Sequence, residues 1–310
     1  MTGPGTTGTT AATTTDTNTH ITTGGATGRP EPRPRFRDLI AAEWIKMWSL
    51  RSTPWAFAVS ALLVVAINTN AAVADHNNWP VYPQGIKELF VPIWAMRDAF
   101  TIGGAMVLML AAASIGALTV VGEYGTGQIR TTFAAVPARR SVVAAKTVVV
   151  TAVTTVLGAV AAVTSFAVTQ AILSGRHVGL PFDHPGAARV MVASALLAPV
   201  CALVGMGVAA VIRHTATTIV GLTLLLLVLP SLLNEDRHWT ASLLHALPQG
   251  AWAELVTVGD SPVPVAHPTT IAGSWLVYGL WSRGGGGVEH RAPHPPPPPP
   301  TTGPARNRGP

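Results

Sequence analysis

Long runs of apolar residues constrain the fold of this chain more than any other feature of its sequence. A helix of about 20 residues crosses the roughly 30 Å of hydrocarbon in a bilayer. Only 11% of the residues are charged, whereas about 25% are charged in a soluble domain. The runs therefore predict an all-α integral membrane protein, a polytopic bundle of about six transmembrane helices. Five clear runs cover residues 55–74, 99–121, 147–173, 190–212 and 216–233, and a weaker sixth covers residues 268–281.

An amphipathic helix is predicted directly before the first run. Its two tryptophans, Trp44 and Trp48, favour a membrane interface, while Glu43, Lys46 and Arg51 occupy its polar faces. Pro54 is expected to break this helix at the membrane edge. The preceding residues 1–34 are rich in Thr, Gly and Pro and contain almost no large apolar side chain. We therefore expect a disordered N-terminal tail.

Basic residues between the runs predict the topology, because loops on the cytoplasmic side carry an excess of Lys and Arg. Arg35 and Arg37 precede the first run, and Arg139, Arg140 and Lys146 lie between the second and third. The alternate segments carry fewer basic residues, and these are mixed with acidic ones. The pattern predicts a multi-pass protein of the plasma membrane with a cytoplasmic N-terminus. Because the basic residues flank apolar runs, no nucleic-acid partner is expected.

The chain after the fifth run contains two less regular segments. Residues 234–267 are too apolar for a solvated loop and too interrupted to span a membrane, so a short helix lying on the bundle is expected. The sixth run ends at Trp281 and leads into a Gly- and Pro-rich tail, residues 284–310. A proline tract can bind other proteins, but the abrupt loss of apolar character favours a translated frameshift. The predicted membrane domain thus covers residues 35–283.

The segment between the second and third runs, residues 122–146, is the strongest candidate for a functional site. It contains an acidic residue at the end of a run, a glycine-rich turn, a short amphipathic stretch ended by proline, and basic residues. These are Glu123, Gly127, Ile129, Arg130, Phe133, Pro137, Arg139, Arg140 and Lys146. A projecting amphipathic helix offers a surface to a soluble partner. An ordinary basic loop held by lipid phosphates explains the same residues, and composition alone leaves both interpretations open.

This order of residues resembles the first cytoplasmic loop of type-2 ATP-binding-cassette (ABC) exporter permeases. Residues 42–53, AEWIKMWSLRST, are similar to the interfacial elbow helix of the actinobacterial branch of that family. The resemblance covers about residues 35–280. It departs from the family at the C-terminus, where the family completes a sixth span with a short basic end.

The resemblance implies a permease subunit that pairs with a second permease copy and with a separate ABC ATPase. ATP and Mg²⁺ would bind to that ATPase, and no cofactor would bind to this chain directly. The loop helix would dock on the ATPase, with Arg130 at the contact and Glu123 as a polar anchor beside the hinge. The partners implied are therefore the ATPase, the second permease and the membrane lipids.

Other functional classes lack the residues that their chemistry requires. The glycines at positions 122–127 are followed by Gln128 and Ile129 rather than by Gly-Lys-Ser/Thr, so the sequence has no phosphate-binding loop there. No Asp, Glu, Lys or Arg lies well inside the five clear runs, which argues against ion-coupled transport. Cys201 is the only cysteine and the histidines are scattered, so no catalytic or metal site is predicted.

The resemblance thus implies a bacterial exporter permease that is not itself an enzyme, and we expect it to move a hydrophobic, peptide or drug-like substrate. The runner-up hypothesis is a non-transporting membrane anchor or regulatory subunit. A defective permease copy with a frameshifted C-terminus is the third.

Overall fold

The computed structural model describes residues 35–49, 51–125, 139–259 and 267–288. These residues form helices joined by short connections, and no β-strand occurs among them. Five of the described helical segments are long and apolar enough to cross a membrane. The prediction of an all-α, multi-pass membrane fold is therefore confirmed.

The helices follow the order of the predicted apolar runs. The membrane-crossing elements are α2, α5, α6, α7 and the pair α8–α9, which a π-helical turn, Leu224–Val228, joins into one segment. At 24 residues, α5 is about 36 Å long and spans a bilayer without α3 and α4, which lie ahead of it. The described helices are α1 (Phe36–Ser49), α2 (Ser52–Asn78), α3 (Gln84–Leu89), α4 (Ala95–Ala99), α5 (Ile102–Gly125), α6 (Arg139–Ser174), α7 (Ala187–Ile212), α8 (Thr215–Thr223), α9 (Leu229–Leu232), α10 (His238–Ala246), α11 (Pro248–Val256) and α12 (Ile271–Val288).

Helix α7 lies at the centre of the bundle. It packs against α5, α6, α8, α11 and α12, and most of its residues are buried. In contrast, α2 and α8–α9 expose large apolar side chains, among them Leu62, Val220 and Leu232. Exposed apolar faces of this kind are what lipid-facing helices require, because apolar side chains are favoured in the hydrocarbon.

Two glycines let α5 and α7 approach each other closely. An added Cβ at Gly116 would overlap the carbonyl oxygen of Ala202, and one at Gly205 would overlap the carbonyl oxygen of Ala113. The contact is reciprocal, because each glycine faces the residue three positions before the other. Small residues at a helix crossing allow backbone approach and extensive van der Waals contact.

The small residues of α5 do not all lie on one contact face. Gly116 meets α7, whereas Ala111 and Ser114 are half-buried. Gly104 is buried against Asn68 of α2, and Gly103 is exposed. Small residues occupy every face of α5, so composition alone does not reveal which face meets α7.

Asn68 is a buried polar contact between three membrane-crossing elements. Its amide nitrogen donates to Ser165 Oγ of α6 at 3.0 Å. Its amide oxygen accepts from Thr101 Oγ1 at 2.7 Å and from the Thr101 backbone nitrogen at 3.2 Å, just before α5 begins. Asn68 therefore forms a polar contact between helices inside the bundle.

The segment after the fifth span forms two helices, α10 and α11, rather than the single helix predicted. Leu247 has extended backbone geometry between them, as is favoured for a residue before proline. Trp252 of α11 is buried and donates its indole N–H to Ser194 Oγ of α7 at 3.1 Å. The prediction that this segment lies on the bundle is confirmed.

Helix α12 forms where the weak sixth run was predicted. Tyr278 donates its hydroxyl to the Ala193 carbonyl at 3.2 Å, and Trp281 donates its indole N–H to the Ala246 carbonyl at 2.8 Å. The helix continues through the first glycines of the predicted tail and ends at Val288. Its clearly apolar part, however, stops at Trp281. The predictions for residues 1–34, and for the tail beyond residue 288, lie outside the described residues.

Candidate functional site

Four oppositely charged side chains meet at the end of the bundle that carries α1. Glu43 and Lys46 lie three residues apart on α1 and therefore face the same side. Glu123 lies in the last turn of α5, and Lys146 lies near the start of α6. These residues, Glu43, Lys46, Glu123 and Lys146, are called the four-charge cluster.

Each lysine of the four-charge cluster contacts both glutamates. Lys146 Nζ donates to Glu43 Oε2 at 2.7 Å and to Glu123 Oε1 at 2.8 Å. Lys46 Nζ donates to Glu43 Oε1 at 2.6 Å and to Glu123 Oε1 at 3.3 Å. Lys146 also donates to the Thr119 backbone oxygen at 3.3 Å. An ammonium group has three donors, so Lys146 has an acceptor for each.

The cluster is formally neutral, and most of it is buried. The side chains of Glu43 and Lys146 are 6% and 8% exposed, that of Glu123 is 14% exposed, and that of Lys46 is 41% exposed. Removing charges from water is costly unless they are paired and hydrogen-bonded. Glu43 and Lys146 therefore form the inner pair, and Lys46 closes the cluster on its solvent side.

Ion pairing outweighs burial for the two residues on α1, which lies outside the membrane-crossing helices. Burial works to raise the pKa of Glu43, but the charges and hydrogen bonds of Lys146 and Lys46 lower it below the ordinary value of 4.5. Burial works to lower the pKa of Lys46, but Glu43 and Glu123 raise it above 10.5. Both groups are therefore charged at neutral pH, and neither is suited to act as a general acid or base there.

The helices on both sides of the predicted loop extend further than the sequence predicts. Helix α5 continues to Gly125 and α6 begins at Arg139, so the loop predicted over residues 122–146 is wrong at both ends. Only residues 126–138 separate the two helices. Hydrophobicity marked the ends of the apolar runs, whereas the helices continue beyond those ends. Glu123 and Lys146 neutralise each other in these extra turns.

The interfacial helix has the predicted form, but its boundary with α2 differs. Trp44 and Trp48 are exposed, with ring centroids 5.7 Å apart, and Trp48 also packs 5.8 Å from Phe57 of α2. Arg51 is exposed between the two helices. Pro54 does not end α1, because it lies in the first turn of α2, where its missing N–H needs no partner.

A second contact at this end of the bundle was not predicted from sequence. Arg213, between α7 and α8, places its guanidinium carbon 5.4 Å from the ring centroid of Tyr124, which follows Glu123 on α5. Arg213 and Tyr124 are 89 positions apart in the sequence, and no local sequence pattern links them. This cation–π contact could therefore not be predicted from the sequence.

Few of the other residues predicted for the loop are among those that the structure describes. Arg140 is exposed, and Arg139 is the first residue of α6. The side chain of Arg139 lies outside the described part of the chain. The same holds for the whole of five other predicted residues: Gly127, Ile129, Arg130, Phe133 and Pro137.

The four-charge cluster is suited to a mechanical role. It joins α1 to α5 and α6, which flank residues 126–138. Within the described residues, no group of three or more His, Cys, Asp or Glu side chains is placed to hold a metal ion. The salt bridges can hold α1, α5 and α6 at fixed relative positions, so that a displacement of one helix also moves the other two.

Acid is expected to weaken the four-charge cluster. Because the pKa of Glu43 is lower in the folded protein than its ordinary 4.5, its contribution to stability is fully present above about pH 4.5 and is lost as the pH falls through the lower folded value. The midpoint of thermal unfolding in detergent, followed by circular dichroism, should fall over this range. Glu43→Gln should show a smaller fall, and equal falls in both proteins would contradict the role of Glu43.

No protein-family model matches the chain, and no curated protein matches it either.

Proposed function

We propose that this chain is the membrane-spanning permease subunit of a bacterial ATP-driven exporter of the type-2 ABC class. The observation that carries the proposal is the four-charge cluster, because it ties the interfacial helix α1 to both helices that flank residues 126–138. A permease driven by a soluble ATPase needs a part that receives force and a rigid connection from that part to its spans. The four-charge cluster provides such a connection.

In this proposal, residues 126–138 form the coupling segment. Displacement of this segment would act on α5 and α6 directly through the backbone. It would act on α1 through the salt bridges from Lys146 to Glu43 and from Lys46 to Glu123, at 2.7 and 3.3 Å. Packed elements with short polar contacts transmit displacement as a unit. The three helices would therefore move together when the coupling segment is pushed.

The orientation follows from the positive-inside rule. Arg35, Arg37, Arg139 and Arg140 cluster at the α1 end, so this end faces the cytoplasm in the proposed arrangement. The ATPase would bind there, with Arg130 at the contact and with ATP and Mg²⁺ held by the ATPase itself. A second permease copy would complete the assembly in the plasma membrane.

The proposed substrate is hydrophobic, peptide or drug-like, and its route runs between two permease copies. A pocket between α2, α5, α6, α7 and α11, lined by Asn68, Ser165 and Trp252 among others, has a volume of about 20 Å³. This holds about one water molecule. A substrate of drug size needs a larger route, which a surface shared by two copies would supply.

Co-purification from native membranes tests the proposed function. We expect a mild detergent extract to yield this chain with a stoichiometric ATPase that carries nucleotide-binding motifs, identified by mass spectrometry. Arg130→Glu should lower both the recovery of that ATPase and the ATPase activity coupled to transport. Arg37→Glu is the matched control, since it reverses a charge at the same end on a side chain that is 76% exposed.

A stable and monodisperse chain that captures no ATPase would contradict the permease proposal. That result would instead favour a non-transporting anchor or regulatory subunit, or a defective permease copy. Equal ATPase recovery with Arg130→Glu and Arg37→Glu would keep the partnership but remove Arg130 from the contact.

A further inference from the structure

The small pocket inside the bundle brings buried polar groups of several helices together. It lies beside Thr101, which precedes α5, whereas Glu123 of the four-charge cluster lies in the last turn of α5. The pocket is therefore in the half of the bundle farther from that cluster. Three of its polar lining residues, Asn68, Ser165 and Ser194, are only 2%, 0% and 6% exposed.

The partners of Asn68 fix the direction of its amide group. A backbone N–H can only donate, so the bond from the Thr101 backbone nitrogen at 3.2 Å identifies the amide oxygen of Asn68. The amide nitrogen then faces Ser165 and donates to its Oγ at 3.0 Å. Because Ser165 Oγ is the acceptor in this bond, its own hydrogen is left to bond elsewhere.

The hydroxyl of Ser194 is in the same situation. The indole N–H of Trp252 can only donate, and it donates to Ser194 Oγ at 3.1 Å. Helical serine and threonine hydroxyls can donate to the carbonyl four residues earlier, as those of Thr154 and Thr169 do in this chain. Among the described residues, the hydroxyl hydrogens of Ser165 and Ser194 have no such acceptor. Two buried O–H donors therefore lie at one pocket.

We infer that this pocket binds one water molecule, which accepts hydrogen bonds from Ser165 and Ser194. A buried donor that is left unsatisfied is costly, and a buried water with two to four polar partners is a regular part of protein interiors. The pocket volume of about 20 Å³ exceeds the roughly 10–15 Å³ that one water requires. The second amide hydrogen of Asn68 is a further polar group at the same place.

Water fits this pocket better than an anion, which would also accept hydrogen bonds. The residues that line the pocket, all within the described part of the chain, are uncharged. Burying an isolated ion without a partner charge costs far more than burying a neutral polar molecule. A larger polar molecule exceeds the volume of the pocket. The ligand that matches both the volume and the two donors is therefore a single water.

The bound water connects two polar contacts that are otherwise separate. The bond between Asn68 and Ser165 joins α2 to α6, and the bond between Trp252 and Ser194 joins α11 to α7. A water held by both serines makes these contacts one network, which links the surface helix α11 to α2 through the interior. The network shares no residue with the four-charge cluster, so this inference does not depend on the proposed ATPase contact.

Radiolytic hydroxyl labelling of the purified full chain tests the site directly. A short X-ray pulse converts water into hydroxyl radicals, which oxidise the side chains beside them, and mass spectrometry locates the products. Trp252 lines the pocket and is 2% exposed, whereas Met109 is 0% exposed and does not line it. We expect oxidation of Trp252 and none of Met109, although a methionine thioether is readily oxidised. A Trp252 that is not oxidised would overturn the water site.

Removal of the two serine hydroxyls is expected to dry the pocket. Combining Ser165→Ala with Ser194→Ala enlarges the pocket but makes it more apolar, and apolar cavities stay dry. Oxidation of Trp252 should therefore fall several-fold, and equal oxidation in the wild type and the double variant would overturn the site. Thr169→Val is the matched control, because the buried Thr169 hydroxyl donates to a carbonyl of its own helix at 2.7 Å. This control should leave the oxidation of Trp252 unchanged.

Thermal unfolding in detergent tests the connection between the two serines. No direct hydrogen bond joins Ser165 to Ser194 among the described residues. A link through water predicts that the double variant lowers the unfolding midpoint by less than the sum of the two single variants. Ser194→Ala combined with Thr169→Val should instead give additive drops.

Additive drops for Ser165→Ala and Ser194→Ala would contradict the shared water. A wild-type midpoint that changes when chloride is replaced by gluconate at constant ionic strength would also overturn the inference, in favour of an anion site.

Discussion

Lys146→Met is expected to lower the free energy of unfolding by about 3–5 kcal/mol, the cost typical of removing one partner from a buried ion pair. The substitution leaves Glu43 and Glu123 adjacent without their shared inner ammonium group, and their side chains are only 6% and 14% exposed. Methionine keeps much of the length of the lysine stem and packs adaptably. The loss should therefore come from two buried carboxylates that share only the more exposed Lys46, rather than from a cavity.

Lys46→Met is the matched control for this prediction. Lys46 contacts the same two carboxylates, but its side chain is 41% exposed, and Lys146 stays in place. An exposed ion pair contributes about 0–1 kcal/mol, so the control should cost much less. Unfolding in mixed detergent micelles, followed by circular dichroism, measures both variants. Equal losses for the two lysines would show that burial does not set the energetics of the four-charge cluster.

A third variant separates charge from packing. In the Lys146→Met background, Glu43→Gln removes one of the two carboxylates that have lost Lys146 as a partner. We expect it to recover part of the lost stability, although the same change alone destabilises the wild type. This non-additivity is what a double-mutant cycle measures for residues in one network. Additive losses would contradict direct coupling between Glu43 and Lys146.

Gly205→Ala is expected to produce the second large effect, a loss of about 1–3 kcal/mol or more from overpacking. The new Cβ would overlap the carbonyl oxygen of Ala113, and this backbone atom cannot move aside as a flexible side chain can. To accept the methyl group, α5 and α7 must separate at their closest point. Gly116→Ala should act in the same way against Ala202, and the two losses should not add fully.

Gly279→Ala is the matched control, because an added Cβ at Gly279 of α12 meets nothing within 4 Å. At this position only the helix propensity should change, and alanine is favoured over glycine by about 1 kcal/mol in an exposed helix interior. Gly279→Ala should therefore be at least as stable as the wild type. Thermal unfolding in detergent compares the variants. Similar behaviour of Gly205→Ala and Gly279→Ala would contradict the close crossing of α5 and α7.

The sequence predicted the positions of the membrane-crossing helices well but predicted the ends of α5 and α6 poorly. Five predicted runs correspond to five membrane-crossing segments, because the requirement for about 20 apolar residues is local. The bounds of residues 122–146 were wrong, because α5 and α6 continue past their apolar parts into turns that carry Glu123 and Lys146. Hydropathy treats such residues as loop, whereas a backbone whose side-chain charges are neutralised by a neighbouring helix can remain helical.

The sequence identified each residue of the four-charge cluster as a candidate site residue, but it did not predict that the four side chains contact one another. Glu43, Lys46, Glu123 and Lys146 were each singled out, two for the interfacial helix and two for the loop. Their contacts join positions 77 and 103 residues apart. The Arg213–Tyr124 contact has the same character, since no spacing rule links residues on different helices.

The sequence by itself determined the class of protein, the place of its five clear spans and the interfacial helix before them. These features follow from the transfer free energy of each residue into lipid, which depends on the residue and its near neighbours. Only the tertiary structure decided which charge pairs with which, which face of α5 meets α7 and where the helices end. Those outcomes depend on distances between helices, because a buried charge or a close glycine contact is stabilised by a partner far away in the chain.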